Sequence, residues 1–533
     1  MKKILTILLF LLLPITAHTT NYYVDKTTGA DGDDGLSEEN AWETCAKVKA
    51  TDFAAGDSIF FKGGEVWDET LEIEADAGSD GNPIVVTSKS DYGVGMPIID
   101  RGDDDIHGLY IDRSPWVTMN GFEVRDLDKE NDCCGAIVYK SDGCAITNNY
   151  IHHVFYAENP MLGDDEHAWE LKRGQGVAVQ KSSHVTVSGN TIMHCGNTGI
   201  MVYATSTERD STINIFDNVI LHNNIGITLA IADHTAGALL ESVNVYGNRI
   251  GDFDPFYTCA SWHRDGIQVF SSTSEGTAVV DSVNIYRNYF SDNGDAGTGG
   301  TAWLYITETC TNFQIYYNIF DEAYGCIQPL NIFGSNFTVQ ADHEIYNNTF
   351  YNTETSFDGI KLRLVKGCNL QNNIVVADDY CIVIDSTSFS DITLDYNNYH
   401  SISESEIAYI DTAGDGLAEV PLTLATIIAN LSQDANSFDG DPLFDSTPGS
   451  PWGDSTAYNL TASSPGKDTG VDLSLGTDYE GNVVPYDSGT EDMGALEYGY
   501  FSSGYAGTAM GVSEPASVLG VSKENLLNFL GVE

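Results

Sequence analysis

The run Trp262-His263-Arg264-Asp265-Gly266-Ile267-Gln268 sets an imidazole, a guanidinium and a carboxyl on consecutive residues. Histidine exchanges a proton near neutral pH and a guanidinium neutralises an anion, so the trio suits removal of a C–H proton beside a carboxylate. A second group follows His152 and His153 and holds Asp164, Asp165, Glu166, His167, Trp169, Lys172 and Arg173. Arg264, Arg173 or Lys361 could neutralise the carboxylate, while His263, Lys172 or Lys181 could take the proton. An aspartate before a glycine is often only a turn residue, and Asp358-Gly359-Ile360 repeats the Asp-Gly-Ile pattern with no histidine beside it. Catalytic use of His263, Arg264 and Asp265 therefore stands against a plain turn.

Such residues need a scaffold, and the chain supplies a repeating one. Residues 176–192 read GVAVQKSSHVTVSGNTI, and residues 135–151 and 359–375 match them without gaps. Val138, Val179 and Leu362 share one apolar beat; Cys144, Val185 and Cys368 share another, and Ile146, Val187 and Leu370 a third. This period of two predicts strands with one buried face, leaving Tyr139, Gln180, Tyr203, Gln268, Lys361 and Arg363 on the outward beats. Each rung closes on an asparagine: Asn120, Asn149, Asn190, Asn218, Asn248, Asn288, Asn318, Asn348, Asn373 and Asn398, spaced 25 to 41 residues apart. Short β-branched runs at that period predict an all-β solenoid, a single right-handed parallel β-helix of about ten rungs over residues 102–400. Asparagine suits its corner through tolerance of left-handed geometry and through amide bonds to the rungs above and below.

The flanks divide as follows. Residues 1–18 carry two lysines, an apolar run and a small-residue exit, the pattern of a secretory signal peptide. Residues 19–101 predict a cap with a helix near 41–50 and strands at 58–61, 70–73 and 83–87. Residues 401–498 predict a closing cap with short strands at 441–444, 459–465, 477–482 and 492–497, and residues 499–533 a tail. With 24 basic against 78 acidic residues the net charge is −54, which argues against a nucleic-acid partner. No later apolar run approaches the ~20 residues of a membrane span, so an exported monomer with no membrane partner is expected. The ten cysteines permit disulfides in an exported chain, yet Cys144 and Cys368 fall on an inward beat, where a thiol acts as a small apolar side chain.

The opening Tyr22-Tyr-Val-Asp25, Gly32-Asp-Asp-Gly-Leu-Ser37 and Gly56-Asp-Ser-Ile-Phe-Phe61 resembles the amino-terminal cap of the pectate-lyase-like superfamily of secreted parallel β-helix proteins. Asp441-Pro-Leu-Phe444, Ser464-Pro465 and Asp492-Met-Gly-Ala495 are similar to its carboxy-terminal cap. The resemblance covers residues 21–498 and implies the architecture and a polysaccharide partner. It leaves the reaction open among lyases, hydrolases, epimerases, esterases and adhesins. Asp265-Gly266-Ile267 is similar to part of the Asn-Thr-Asp-Gly motif of polygalacturonases, but His263-Arg264 replaces Asn-Thr. The Asp-Pro-His motif of the epimerases is absent.

The turn from asparagine to strand glycine is nine residues or fewer in several rungs, but 27 from Asn149 to Gly176 and eighteen from Asn248 to Gly266. These insertions share a corner three rungs apart, ~14 Å at the usual strand spacing, and long loops on a rigid coil commonly bind or catalyse. They predict one wall of a glycan groove in which Trp169, Lys181, Tyr203, Trp262, Gln268, Lys361 and Arg363 bind substrate and His263, Arg264, Asp265, Lys172 and Arg173 act on it. The expected activity is a carbon–oxygen lyase cleaving a uronic-acid-containing glycan, with a glycoside hydrolase or a non-catalytic glycan-binding solenoid as alternatives. No cofactor is demanded by these residues; Ca2+ is a candidate through Asp252 and Asp254.

Overall fold

The computed structural model describes residues 19–499, apart from 103–106, 128–132, 155–173, 205–208, 232–237, 254–263, 272–277, 292–299, 322–325, 335–340, 354–356, 387, 389–390, 412–419, 449–454 and 486–488. It is a right-handed parallel β-helix whose described strands form three long sheets of 14, 13 and 13 strands. One turn of the coil runs through Ala145–Thr147 in the first sheet, Tyr150–Val154 in the second and Gln175–Gln180 in the third. The next turn repeats it in register, with Ile146 beside Val187, Ile151 beside Ile192 and Val179 beside Val202.

The alternation in sequence translates directly into burial. Val138, Val179, Leu362, Ile146 and Val187 are fully buried, while Tyr139, Gln180 and Arg363 face outward and are half-buried. Phe290, Phe320 and Phe350 stack inside the coil at 4.7 Å, so one aromatic column runs through three rungs. The eight cysteines whose side chains are described, Cys144 and Cys368 among them, are buried and unbridged.

The asparagine ladder runs from Asn149 to Asn397. Asn149 Oδ1 accepts the Phe122 N–H, and from Asn190 on each Oδ1 accepts both the backbone N–H and the side-chain amide of the rung before it: Asn218 gives both to Asn248 at 3.0 Å, and Asn248 gives both to Asn288 at 3.1 and 3.0 Å. Two expected members fall off the ladder. Phe122 holds the first position and Asn120 lies two residues before it; Asn397 holds the last and Asn398 lies one beyond. The left-handed backbone also belongs elsewhere than expected. It falls on the residue before each ladder asparagine, such as Asn148, Asp217, Tyr317 and Asn372, at φ 52 to 58°. The asparagines are retained for their amides alone, because a buried corner must satisfy its own N–H groups.

At the amino end the coil reaches upstream of the expected boundary at residue 102, since Ser58–Gly63, Val66–Trp67 and Leu71–Glu74 already belong to the three sheets. A helix α1 (Cys45–Lys49), capped by the Thr44 hydroxyl, covers this end with Cys45 and Val48 buried. At the far end α2 (Leu424–Leu431) buries Ile427. The described residues of 441–498 differ from the expected short strands, and among them strand-like pairing is limited to isolated bridges between Phe444 and Leu460 and between Thr477 and Val483. They fold back along the coil, where outward-turned corner side chains bind them: Asn347 Nδ2 donates to Asp492 O (3.0 Å), Asn372 Nδ2 to Val471 O (2.8 Å) and Arg287 Nη2 to Thr477 O (2.8 Å). The proposed signal peptide and the tail beyond Gly499 lie outside the described residues.

Burial pushes the carboxyls of Asp217, Asp358, Asp434 and Asp492 up to about 6 and that of Glu491 to about 7. An acid whose folded pKa exceeds its unfolded value makes the native state bind more protons between the two. Stability therefore falls as pH rises through that window, from about 4 to about 7. Asp25 acts oppositely: hydrogen bonds from Lys62 and Thr28 outweigh its desolvation and hold it low, so its contribution is lost only as pH falls below the unfolded carboxylate value. Self-repulsion at net −54 adds to the first trend. The thermal unfolding midpoint, followed by circular dichroism, is expected to be higher at pH 5 than at pH 7.5; an equal or lower midpoint would contradict this reading.

Candidate functional site

The third sheet presents its outward face as columns of side chains in register. Tyr110, Ile137, Ala178, Met201, Thr228, Gln268, Tyr305, Asn331 and Lys361 form one column, and Asp112, Tyr139, Gln180, Tyr203, Ala230, Phe270, Thr307, Phe333 and Arg363 the next. At ~4.8 Å per strand, the six steps from Gln180 to Arg363 span ~29 Å, a length suited to a polymer.

At the amino-terminal end of this face stand Tyr110, Tyr139, Gln180 and Tyr203. Lys140 and Lys181 occupy left-handed positions at the strand ends, and both ammonium groups lie over the Tyr139 ring, at 5.0 and 5.8 Å. Lys181, a candidate base in sequence, is here the cation of a tyrosine-lined patch. Lys140 was not singled out; its signal was its place opposite Lys181 in the repeat.

In the middle lie Arg264 and Asp265. Asp265 is fully buried, and its Oδ1 accepts the Ala302 N–H at 3.0 Å. The neighbouring strand Gly300–Thr307 carries an extra residue at this point, Arg264 pairing with Gly300 but Asp265 with Ala302, so the carboxylate fastens a bulge. Arg264 is 4% exposed. These two are poor candidates for direct contact with a polymer as they stand. His263, Trp262, Trp169, Lys172 and Arg173 lie outside the described residues, as does Asp254 of the calcium pair. The meeting of the two insertions stays an expectation.

At the carboxy-terminal end the strand Ile360–Arg363 places Lys361 and Arg363 side by side on the outward face. Burial pushes the Lys361 amine below the ordinary lysine range, Asp358 opposing and Arg363 adding to the shift. Burial likewise pushes the Asp358 carboxyl up to about 6, with Lys361 opposing and Asp379 adding. The Arg363 guanidinium lies over the Phe333 ring at 5.2 Å, which orients it. Tyr409 and Tyr380 pack edge to face at 4.7 Å beside this group. Burial raises the Tyr409 hydroxyl, as do Asp358, Asp411 and Asp379. One rung toward Asp265, Asn331 Nδ2 donates to Gln328 Oε1 at 3.3 Å, and the Tyr305 hydroxyl is raised by burial and by Asp265. The site thus joins an amine whose charged form burial disfavours, a guanidinium oriented by a ring and a carboxyl raised to about 6. Sequence reasoning chose Lys361 and Arg363 but used Asp358 only as an example of a plain turn.

Three described carboxylates elsewhere, on Glu72, Glu74 and Asp112, approach one another. Lys49 and Arg113 already neutralise them, Lys49 Nζ lying 2.6 Å from Glu72 and Arg113 Nη2 2.7 Å from Asp112, so they form an ion-pair network. Asp252 is 7% exposed.

The family model described as a right handed beta helix region matches residues 104–277. A lacto-N-biosidase from Bifidobacterium longum subsp. longum is 36% identical over 87 residues, which are 16% of this chain and 5% of that protein. The match therefore spans only about a twentieth of that relative's length. Among solved structures, XylC in complex with xylose aligns with 90% of this chain and 99% of its own, at 13% identity and a TM-score of 0.50. Pectate lyase Pel9A aligns with 90% of this chain and 97% of its own, at 13% identity and a TM-score of 0.47. At 13% identity, the likeness to XylC speaks for the fold alone.

Proposed function

We propose that this right-handed parallel β-helix is a secreted, polysaccharide-active enzyme, and that it cleaves a uronic-acid-containing glycan by β-elimination. The observation that carries the reading is the pair Lys361 and Arg363 on one outward face, with the Asp358 carboxyl near enough to act on the Lys361 amine. Arg363 neutralises the C6 carboxylate, which acidifies the C5 proton; Lys361 takes that proton; the C4–O bond breaks as the C4=C5 double bond forms; Asp358 protonates the leaving oxygen. Lys140 and Lys181 lie on the same face, so four of the chain's 24 basic residues line one path in a molecule of net charge −54. Such local cations supply the field an anionic polymer needs. Export rests on residues 1–18; among the described residues no helix is long and apolar enough to cross a membrane.

A second reading, glycoside hydrolysis, is favoured by the neighbouring carboxyls of Asp358 and Asp379, the latter also raised by burial, and by the lacto-N-biosidase relative. One screen separates the readings: the chain without residues 1–18 against alginate, pectate, glycosaminoglycans and neutral glycans, read by unsaturated-product absorbance and by reducing ends. Absorbance with reducing ends is the expected result on at least one uronate polymer. Reducing ends alone would move the assignment to a hydrolase, and binding without cleavage to a glycan-binding solenoid.

A further inference from the structure

We propose a transition-metal site at the corner between the second and third sheets, built from a ladder of histidines. His153, His194 and His222 occupy equivalent positions on consecutive rungs, as the pairings of Val154 with Cys195 and of Met193 with Leu221 require. All three have left-handed backbone, at φ 53, 53 and 54°. His153 and His194 have ring centroids 5.0 Å apart, and so do His194 and His222, the latter pair only 16° from parallel. His152 joins them through a 2.7 Å contact between its Nδ1 and that of His153, and Asp252 takes the same position on the following rung, its carbonyl accepting the His222 N–H at 2.8 Å. Four of the chain's twelve histidines are gathered here.

A simple packing ladder looks different in this protein. On the first sheet Phe216, Tyr246, Tyr286 and Tyr316 stack at 4.8 to 4.9 Å within 6° of parallel, using phenyl and phenol rings at ordinary strand positions. The corner instead gathers imidazoles, each with two ring nitrogens, at left-handed positions and follows them with an aspartate. Imidazole donors suit Zn2+, Ni2+ or Cu2+ over Ca2+, which prefers oxygen ligands. The rings stand wider than a closed site requires, so binding draws two adjacent imidazoles together by rotation about their side-chain bonds. The metal would clamp successive rungs along the edge from which both long insertions leave the coil. The inference does not depend on the reaction proposed above.

The test is zinc retention. The full chain, loaded with ZnCl2 at pH 7.5 in excess CaCl2 and desalted, is expected to keep one equivalent of zinc and to melt at a higher temperature than the unloaded chain. At pH 5 protons compete for the imidazoles and the zinc is expected to be lost. The pair His194→Asn and His222→Asn, chosen because asparagine accepts the left-handed backbone, should abolish retention, while His184→Asn on the exposed face of another corner should not. Copper(II) added to the unsubstituted protein checks the donors without any variant: imidazole nitrogens split its electron paramagnetic resonance signal, whereas carboxylate oxygens do not. No zinc retained by the wild type, equal retention by the double variant, or a copper signal without nitrogen splitting would each overturn the proposal.

Discussion

Lys361→Met is expected to lower elimination by about 10²- to 10⁴-fold, the usual contribution of a positioned general base. Methionine keeps the length and apolar packing of the lysine stem, so the variant removes the amine and little else. Because burial already disfavours the charged amine, the folded state should tolerate the change, with an unfolding midpoint close to that of the wild type. The pH profile carries the same information. A lysine base works only when deprotonated and the Asp358 acid only when protonated, so wild-type turnover should fall on both the acid and the alkaline side of an optimum, and the small residual rate of Lys361→Met should lose the dependence that the lysine contributes. A variant that keeps more than a tenth of wild-type turnover, still yielding unsaturated product, would place the base elsewhere. The described basic groups on the face would then leave Lys181 and Lys140 as the next to test.

Asn248→Ala should cause the largest loss of stability among single corner changes. Its Oδ1 accepts the Asn218 backbone N–H and side-chain amide, and its own Nδ2 donates to Ile215 O, Tyr246 O and Asn288 Oδ1 at 3.0 to 3.1 Å. Removing the carboxamide strands the buried Asn218 backbone N–H and takes a donor from Ile215 O, while Asn218 Nδ2 keeps Val187 O and Phe216 O; at about 1–3 kcal/mol for each orphaned group the loss is on the order of 2–4 kcal/mol. Asn244→Ala gives the contrast. Asn244 belongs to a half-exposed ladder on the first sheet, bonded to Asn214 at 2.9 Å and Asn284 at 2.8 Å, where water replaces what is lost. Its cost should stay within about 1 kcal/mol. Chemical denaturation of the two variants side by side decides the matter; equal losses would mean that the buried ladder is no more than a decoration of the corner.

The sequence by itself determined the coil. A strand's two faces follow from alternation along a few residues, and a rung repeats because its neighbour must bury the same face, so the pattern alone puts Val138, Val179 and Leu362 inside. It also made Lys361 and Arg363 legible as outward cations. Which residues stand beside them was not legible, because Asp358, Tyr380 and Tyr409 come from three successive rungs joined by turns of unequal length. Only the register of the third sheet brings them together. The carboxyl of Asp358 reads as a turn residue in one dimension and as a near-neutral acid in three, since desolvation is set by what lies across the sheet. The same holds for Asp265, whose neighbour's extra residue turns it into the pin of a bulge. The histidine ladder lies between these cases. His153, His194 and His222 each follow a ladder asparagine by four residues, a pattern present in the chain throughout, yet their separations of 41 and 28 residues conceal that pattern until the strands are aligned. Tertiary structure alone decided that residues 441–498 lie along the coil, because the groups holding them are corner amides such as Asn347 and Asn372, whose outward direction depends on the left-handed turns before the ladder.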